Sequence, residues 1–252
     1  MKLKEINLPD QDAIYLIPIS DVHIGDPNLN DRKLQGYIDW ILATPNAYVI
    51  LNGDIMNTAV RDSVSDIYHE TMNPQDQLRY AKKVFEPIAD RILCIVRGNH
   101  ELRVAKSTGI DTCEILAAYL GVYYAGDEAL LKLRFGKRRN GKPLTYIVYC
   151  THGWGGGRTA GAKVNNLSKL ANIVIADIYI ASHTHFMTAH QDRIYVPDQR
   201  NNNLIDMKRT FVSSGAFLER GGYAVQKGYP PAKLGSPRLR LAGDKKDVHV
   251  SL

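Results

Sequence analysis

Apolar residues in this chain gather in short runs that stop at polar turns. Residues 13–19, 47–51, 92–96, 145–150 and 177–181 are five such runs. Their near-continuous apolar character predicts strands buried on both faces, as beneath covering helices. Between them the apolar spacing changes to a helical one. Leu34, Tyr37, Ile38, Ile41 and Leu42 share one face of a helix that Asp31 caps and that ends before Pro45. Leu78, Ala81, Val84 and Phe85 make a similar stripe over 75–85. Asp111, with Glu114 three residues on, predicts a capping box for a helix over 115–120 that Gly121 stops. A further helix is predicted over 160–171. Strands alternating with helices imply an α/β sandwich.

Two segments depart from this alternation. Runs at 130–135 and 145–150 flank a basic stretch containing Asn140-Gly141, which predicts a hairpin with the basic residues Lys137, Arg138 and Arg139 at its tip. Residues 229–252 carry Pro230, Pro231 and Pro237 among Lys233, Arg238, Arg240, Lys245 and Lys246. They read as a basic C-terminal tail or edge segment after a domain spanning 1–228.

Composition narrows the class. At 252 residues, 44% hydrophobic and 23% charged, the chain suits one large α/β domain or two small ones. Residues 1–10 lack the apolar run of a signal peptide, and no window approaches the roughly 18 apolar residues of a membrane helix. The expectation is a cytoplasmic protein without a membrane partner. Cys94, Cys113 and Cys150 are far apart with no C-x-x-C pair, which argues against a cysteine zinc site or a disulfide framework. The net charge of +6 is compatible with a polyanionic partner.

The chemistry lies in what ends each strand. Asp21 and His23 follow the first run and Asp54 the second. Asn99 and His100 follow the third, His152 the fourth, and His183 and His185 the fifth. Ligands of open α/β sheets bind beyond the carboxyl ends of strands. A lone histidine there is more often structural, but five of eight histidines falling at strand ends beside carboxylates resists that reading. Imidazole, carboxylate and amide donors without thiolates suit Mn²⁺ first, with Fe, Zn²⁺, Co²⁺ or Ni²⁺ also fitting. Even with one of these eight strand-end residues set aside, seven ligand side chains exceed one ion's need and suit two divalent metal ions about 3.5–4 Å apart that share a carboxylate.

The ordered motifs Asp21-Val22-His23, Gly53-Asp54, Gly98-Asn99-His100-Glu101, His152-Gly153 and Ser182-His183-Thr184-His185 resemble those of the calcineurin-like metallophosphoesterases. The resemblance spans about two thirds of the chain. It implies a fold of two packed mixed β-sheets flanked by helices. It further implies that Asp21, His23 and His185 hold one metal, that Asn99, His152 and His183 hold the other, and that Asp54 bridges them. His100 would contact phosphate and act as general acid for the leaving group.

Ser182 replaces the usual glycine of the last motif, and Asn57-Thr58-Ala59 lacks the Asp-Arg-Gly extension typical of phosphoprotein phosphatases. Arg97, by contrast, matches those phosphatases, where an arginine grips phosphate. Trp154, in the glycine-rich segment after His152, is a candidate to stack on a base or else to fill core. Arg97, Arg103 and Arg158 are candidate substrate contacts, and Arg61, His69, Lys106 and Arg220 could join them along a phosphate channel. The expected function is hydrolysis of phosphodiesters in nucleic acids (DNA or RNA) or nucleotides. The alternatives are a phosphomonoesterase, including a Ser/Thr protein phosphatase, and a metal-binding scaffold without turnover.

Overall fold

In the computed structural model the five apolar runs are strands that belong to two sheets. The structure describes residues 1–61, 63, 67–137 and 141–252. The strands are β1 (Leu3–Asn7), β2 (Ala13–Ile19), β3 (Ala47–Asn52), β4 (Ile92–Val96), β5 (Tyr124–Gly126), β6 (Glu128–Phe135), β7 (Leu144–Thr151), β8 (Ile178–Ala181), β9 (Thr188–Asp198), β10 (Asn203–Ser213), β11 (Arg238–Ala242) and β12 (Val248–Ser251). The helices are α1 (Asp31–Ala43), α2 (Pro74–Phe85), α3 (Asn99–Thr108), α4 (Thr112–Leu120), α5 (Ala160–Ser168) and α6 (Gly222–Gln226). One sheet has the order β1-β6-β7-β8-β10-β9 and the other β12-β11-β2-β3-β4-β5. Both are mixed. Strands β2, β3 and β4 run parallel, as do β7 and β8. The result is an α/β sandwich of two six-stranded sheets flanked by helices.

Alternation along the strands builds two main apolar layers. Ile17, Ile19, Val49, Leu51 and Ile95 face helices α1, α2 and α4 and meet Leu34, Ile38, Leu78, Phe85 and Leu116. Their neighbours Ile14, Leu16, Ile50, Cys94 and Val96 turn the other way and pack on Leu131, Leu133, Val148, Ile178 and Ile180 of the facing sheet. Central strands covered on both sides explain the unbroken apolar runs. A smaller layer around Tyr149, Tyr179 and Phe211 lies against Leu167 and Leu170, at and just beyond the end of α5. All three cysteines are buried and unbridged.

Helix ends follow local chemistry. Asp111 caps α4 by accepting from the backbone N–H groups of Cys113 and Glu114, and Gly121 closes it at φ 68°. On α1 the cap is Asn30, one residue before the expected Asp31. The predicted 160–171 helix is α5 followed by a 3₁₀ turn over 169–172.

Strands β6 and β7 pair antiparallel from Glu128↔Thr151 to Phe135↔Leu144. The tip expected at Arg138, Arg139 and Asn140 lies outside the described residues. The basic segment at the C-terminus is no loose tail over its second half. There β11 and β12 form an edge hairpin that pairs with β2 and buries Leu239, Leu241 and Val248. Among the described residues no helix is long and apolar enough to cross a membrane.

Candidate metal centre

Strands β2, β3 and β4 from one sheet, and β7 and β8 from the other, end on a common rim. Polar side chains stitch the two sheets together beneath it. Asn52 Nδ2 donates to Thr151 O (2.8 Å) and Ser182 Oγ (2.7 Å). Ser20 Oγ lies 2.5 Å from Ser214 Oγ and donates to Asp21 Oδ2 at 2.8 Å. Oδ2 also accepts the backbone N–H of His183 at 3.2 Å.

The backbone of this rim is unusual. Asp21, His23, Asp54, His183 and His185 all have positive φ, between 49° and 67°. A non-glycine residue there costs on the order of 1–3 kcal/mol. Five such residues in one place are held by their surroundings for what their side chains do. Gly98 explains the closeness of the strands: a Cβ at that position would lie 2.1 Å from Asp54 Oδ1 and 2.2 Å from Asp54 N.

Three overlapping sets of donor atoms result: Asp21 with His23 and His185; His23 with Asp54 and His100; Asp54 with His152 and His183. Within each set the atoms lie within 4.8 Å of one another. His23 links the first set to the second, and Asp54 links the second to the third. Asp54 Oδ1 accepts the His100 backbone N–H at 2.9 Å, in the first turn of α3. Its Oδ2 faces the Nε2 atoms of His152 (3.0 Å), His100 (3.8 Å) and His23 (3.9 Å). Asn99 Oδ1 sits 3.1 Å from His152 Nε2 and 2.8 Å from His183 Nδ1. The structure therefore brings Asp21, His23, Asp54, Asn99, His100, His152, His183 and His185 to one place.

Carbonyl neighbours decide the tautomers, because a carbonyl oxygen only accepts. His152 Nδ1 faces Asn52 O at 2.9 Å, and His100 Nδ1 faces Asn57 O at 2.9 Å. Each therefore carries its proton on Nδ1 and leaves Nε2 facing the centre. Burial opposes charge throughout, but not equally. It would raise Asp21 and Asp54, yet the His185 ring brings Asp21 down to about 2, and His152 and His100 hold Asp54 well below its usual range. Burial would likewise lower His152, but the carboxylate of Asp54 lifts it to about 10. For His100 burial prevails and the ring falls to about 3. Burial also lowers His23 and His183.

The donor set fits divalent cations. Asp21 Oδ1 is buried and accepts no hydrogen bond, with His185 Nε2 3.2 Å away. A buried carboxylate oxygen beside an imidazole nitrogen, without a donor of its own, is what a coordinated cation would satisfy.

Glu101 belongs to a motif that the sequence singles out, yet its part emerges only in three dimensions. Its buried carboxylate accepts the backbone N–H groups of Gly98 (3.1 Å), Asp54 (3.1 Å) and Met56 (2.9 Å) and so clamps the loop that presents Asp54. Burial and the nearby Asp54 push it up to about 7. Asn57 reaches His23 with its side chain, and Glu70 and Gln77 stand behind it; the sequence marks Asn57 only as a departure from the phosphatase extension and does not mark the other two.

The candidate substrate contacts separate. Arg97 turns away to Asp111 (2.7 Å) and Asp127 (2.6 Å). Arg103 lies on α3 and is partly buried, its charge felt by Asp54, Glu101 and Glu70. Trp154 is half-exposed, which excludes the core-filling reading, and lines a small cavity with Lys163, Asn166 and Thr184. Arg158, Arg61, His69 and Lys106 are exposed, and Arg220 Nε donates to Tyr229 O at 2.8 Å.

The family model of the calcineurin-like phosphoesterases matches residues 17–187, and the chain belongs to that family. No curated protein matches it significantly. Similar solved structures include a predicted phosphoesterase from Streptococcus pneumoniae, with 13% identity over 94% of this chain and 88% of that one at a TM-score of 0.41. A single mutant of Vps29 from Entamoeba histolytica is 11% identical over 94% and 97%, with a TM-score of 0.45. The calcineurin-like phosphoesterase YfkN from Bacillus subtilis is 13% identical over 96% and 90%, with a TM-score of 0.44. Likenesses of this strength bear on neither activity nor substrate.

Proposed function

We propose that this calcineurin-like phosphoesterase hydrolyses phosphodiesters of nucleic acids or nucleotides with two divalent cations, Mn²⁺ being the first candidate. The observation that carries the reading is Asp54, whose Oδ2 faces imidazoles of all three donor sets. Asp21, His23 and His185 would hold one cation; Asn99, His152 and His183 would hold the other; Asp54 would serve both. When bound, such a pair lowers the pKa of water and neutralises phosphoryl charge.

The chain's own residues supply the rest. His100 carries its Nδ1 proton to Asn57 O, so Nε2 is the atom that can take up and deliver a proton. Burial keeps the ring neutral at rest. An anionic phosphate alongside favours its charged form and prepares it to protonate a leaving oxygen. Arg103, inside the field of Asp54, is placed to offset phosphate charge. Trp154, two residues beyond His152, presents an exposed indole on which a base could stack, an interaction of about 1–3 kcal/mol. The net charge of +6 favours approach of a polyanion.

Arg97 was the residue that spoke for a phosphoprotein phosphatase. Its ion pairs with Asp111 and Asp127 withdraw that support. The deciving comparison is turnover of an aryl phosphodiester against the matching monoester in Mn²⁺. The reading expects the diester to be preferred. A strong monoester preference would overturn it.

A further inference from the structure

Asn57 lies outside the donor sets but touches two of their members. Its side chain sits between His23 Nδ1, 3.1 Å from Oδ1, and the carboxylate of Glu70, to which Nδ2 donates. A carboxylate only accepts, so the amide nitrogen must face Glu70 and the amide oxygen must face His23. That orientation makes His23 Nδ1 the protonated nitrogen and leaves Nε2 for the centre. The main chain of the same residue accepts from His100 Nδ1 at 2.9 Å.

The arrangement is anchored from behind. Gln77 on α2 accepts the Thr58 N–H through Oε1 (2.7 Å), which directs its Nε2 to Glu70 Oε2 (2.6 Å) and Met72 O (2.9 Å). Glu70 thus receives one amide donor on each oxygen. Thr58 Oγ1 donates to His100 O at 2.8 Å, and Asn57 N donates to Ile24 O at 2.9 Å. From α2 to His23 each hydrogen bond pairs a donor with an acceptor, and reversing either amide would set like against like.

We infer that Asn57, oriented by Glu70, is a positioning residue that aims both His23 and His100 at the centre, its side chain setting one ring and its main chain the other. The role rests on the proposed metal-dependent reading for its purpose, but its test does not need turnover. Groups hydrogen-bonded behind metal-ligating histidines typically change metal affinity 10–100-fold when removed.

The experiment records imidazole tautomers by long-range ¹H–¹⁵N correlation in the metal-free protein and Mn²⁺ affinity by calorimetry. Its variants are Asn57→Ala, Asn57→Asp, Glu70→Gln and the Asn57→Asp/Glu70→Gln pair. In Asn57→Ala, His23 should lose its fixed tautomer while His100 keeps its own, because the main-chain carbonyl survives. Asn57→Asp sets two carboxylates together, and Glu70→Gln leaves one of two amide donors unmatched. Each of these single changes should lower Mn²⁺ affinity about 10–100-fold. The pair restores a donor to every acceptor and should recover the tautomer of His23 and near wild-type affinity. An unchanged His23 in Asn57→Ala, or a pair no better than its worse single variant, would overturn the inference. Failure of diester hydrolysis alone would leave it standing, since neither readout depends on catalysis.

Discussion

Asp54 is held by its neighbours before any ligand arrives. Glu101 clamps its backbone N–H, the first turn of α3 supplies an N–H to Oδ1, and Oδ2 is left to three imidazoles. His100 shows the complementary device, with one ring nitrogen fixed and the other aimed inward. Replacing His100 with Asn should therefore retain the bound metals while cutting turnover by about 10²–10⁴-fold, the usual contribution of a positioned acid. Metal content by elemental analysis alongside steady-state rates checks this. Full activity would mean that another group protonates the leaving oxygen.

Elements differed in how far the sequence revealed them. The five central strands and helices α1, α2 and α4 were legible because burial on a helix-covered sheet imposes a simple apolar pattern. The long ribbon of β9 and β10 was not. Its outer half is exposed, and cross-strand ion pairs such as Arg209–Asp192 and Arg193–Asp206 lie along it, so no apolar run marks it. Helix α3 escaped for a different reason: its first residues carry chemistry, and only Glu101 and Val104 are buried. The donor residues were legible as motifs. The pairing of Asn57 with Glu70 was not, because a hydrogen bond between residues 13 apart leaves no spacing rule. Positive φ at the ligands was equally hidden: aspartate and histidine enter that region more readily than most non-glycine residues, but too seldom for their presence to predict it.

The edge hairpin of β11 and β12 was legible only as a tail or edge segment, because proline and basic residues mask its two short strands. Leu239 is fully buried there and faces the inter-sheet core. Leu239→Ala should destabilise the protein by about 2–5 kcal/mol, read as a lowered midpoint of denaturant unfolding. A loss of under about 0.5 kcal/mol, the range of surface substitutions, would show that the hairpin is peripheral.

For the molecule as a whole, two sheets meet at a rim where charge is concentrated and buried. In the metal-free protein the proton on His152 is held up to about pH 10 by Asp54, and His185 is raised by Asp21. A cation must displace those protons, whereas Asp21 and Asp54 are already ionised in the neutral range. Metal affinity should therefore rise as pH increases from 6 to 9, by up to about tenfold per unit for each proton released. Calorimetry in buffers of different ionisation enthalpy checks both the slope and the proton release. Affinity independent of pH would show that no proton competes for the centre.

The most direct test of the account counts bound Mn²⁺ and measures aryl phosphodiester hydrolysis in the wild type and in Asp54→Asn. The account predicts two ions and metal-dependent turnover in the wild type, with both ions weakened together and turnover lost in the variant. Two tightly held ions in Asp54→Asn, or a wild type that binds two ions and hydrolyses nothing, would contradict it.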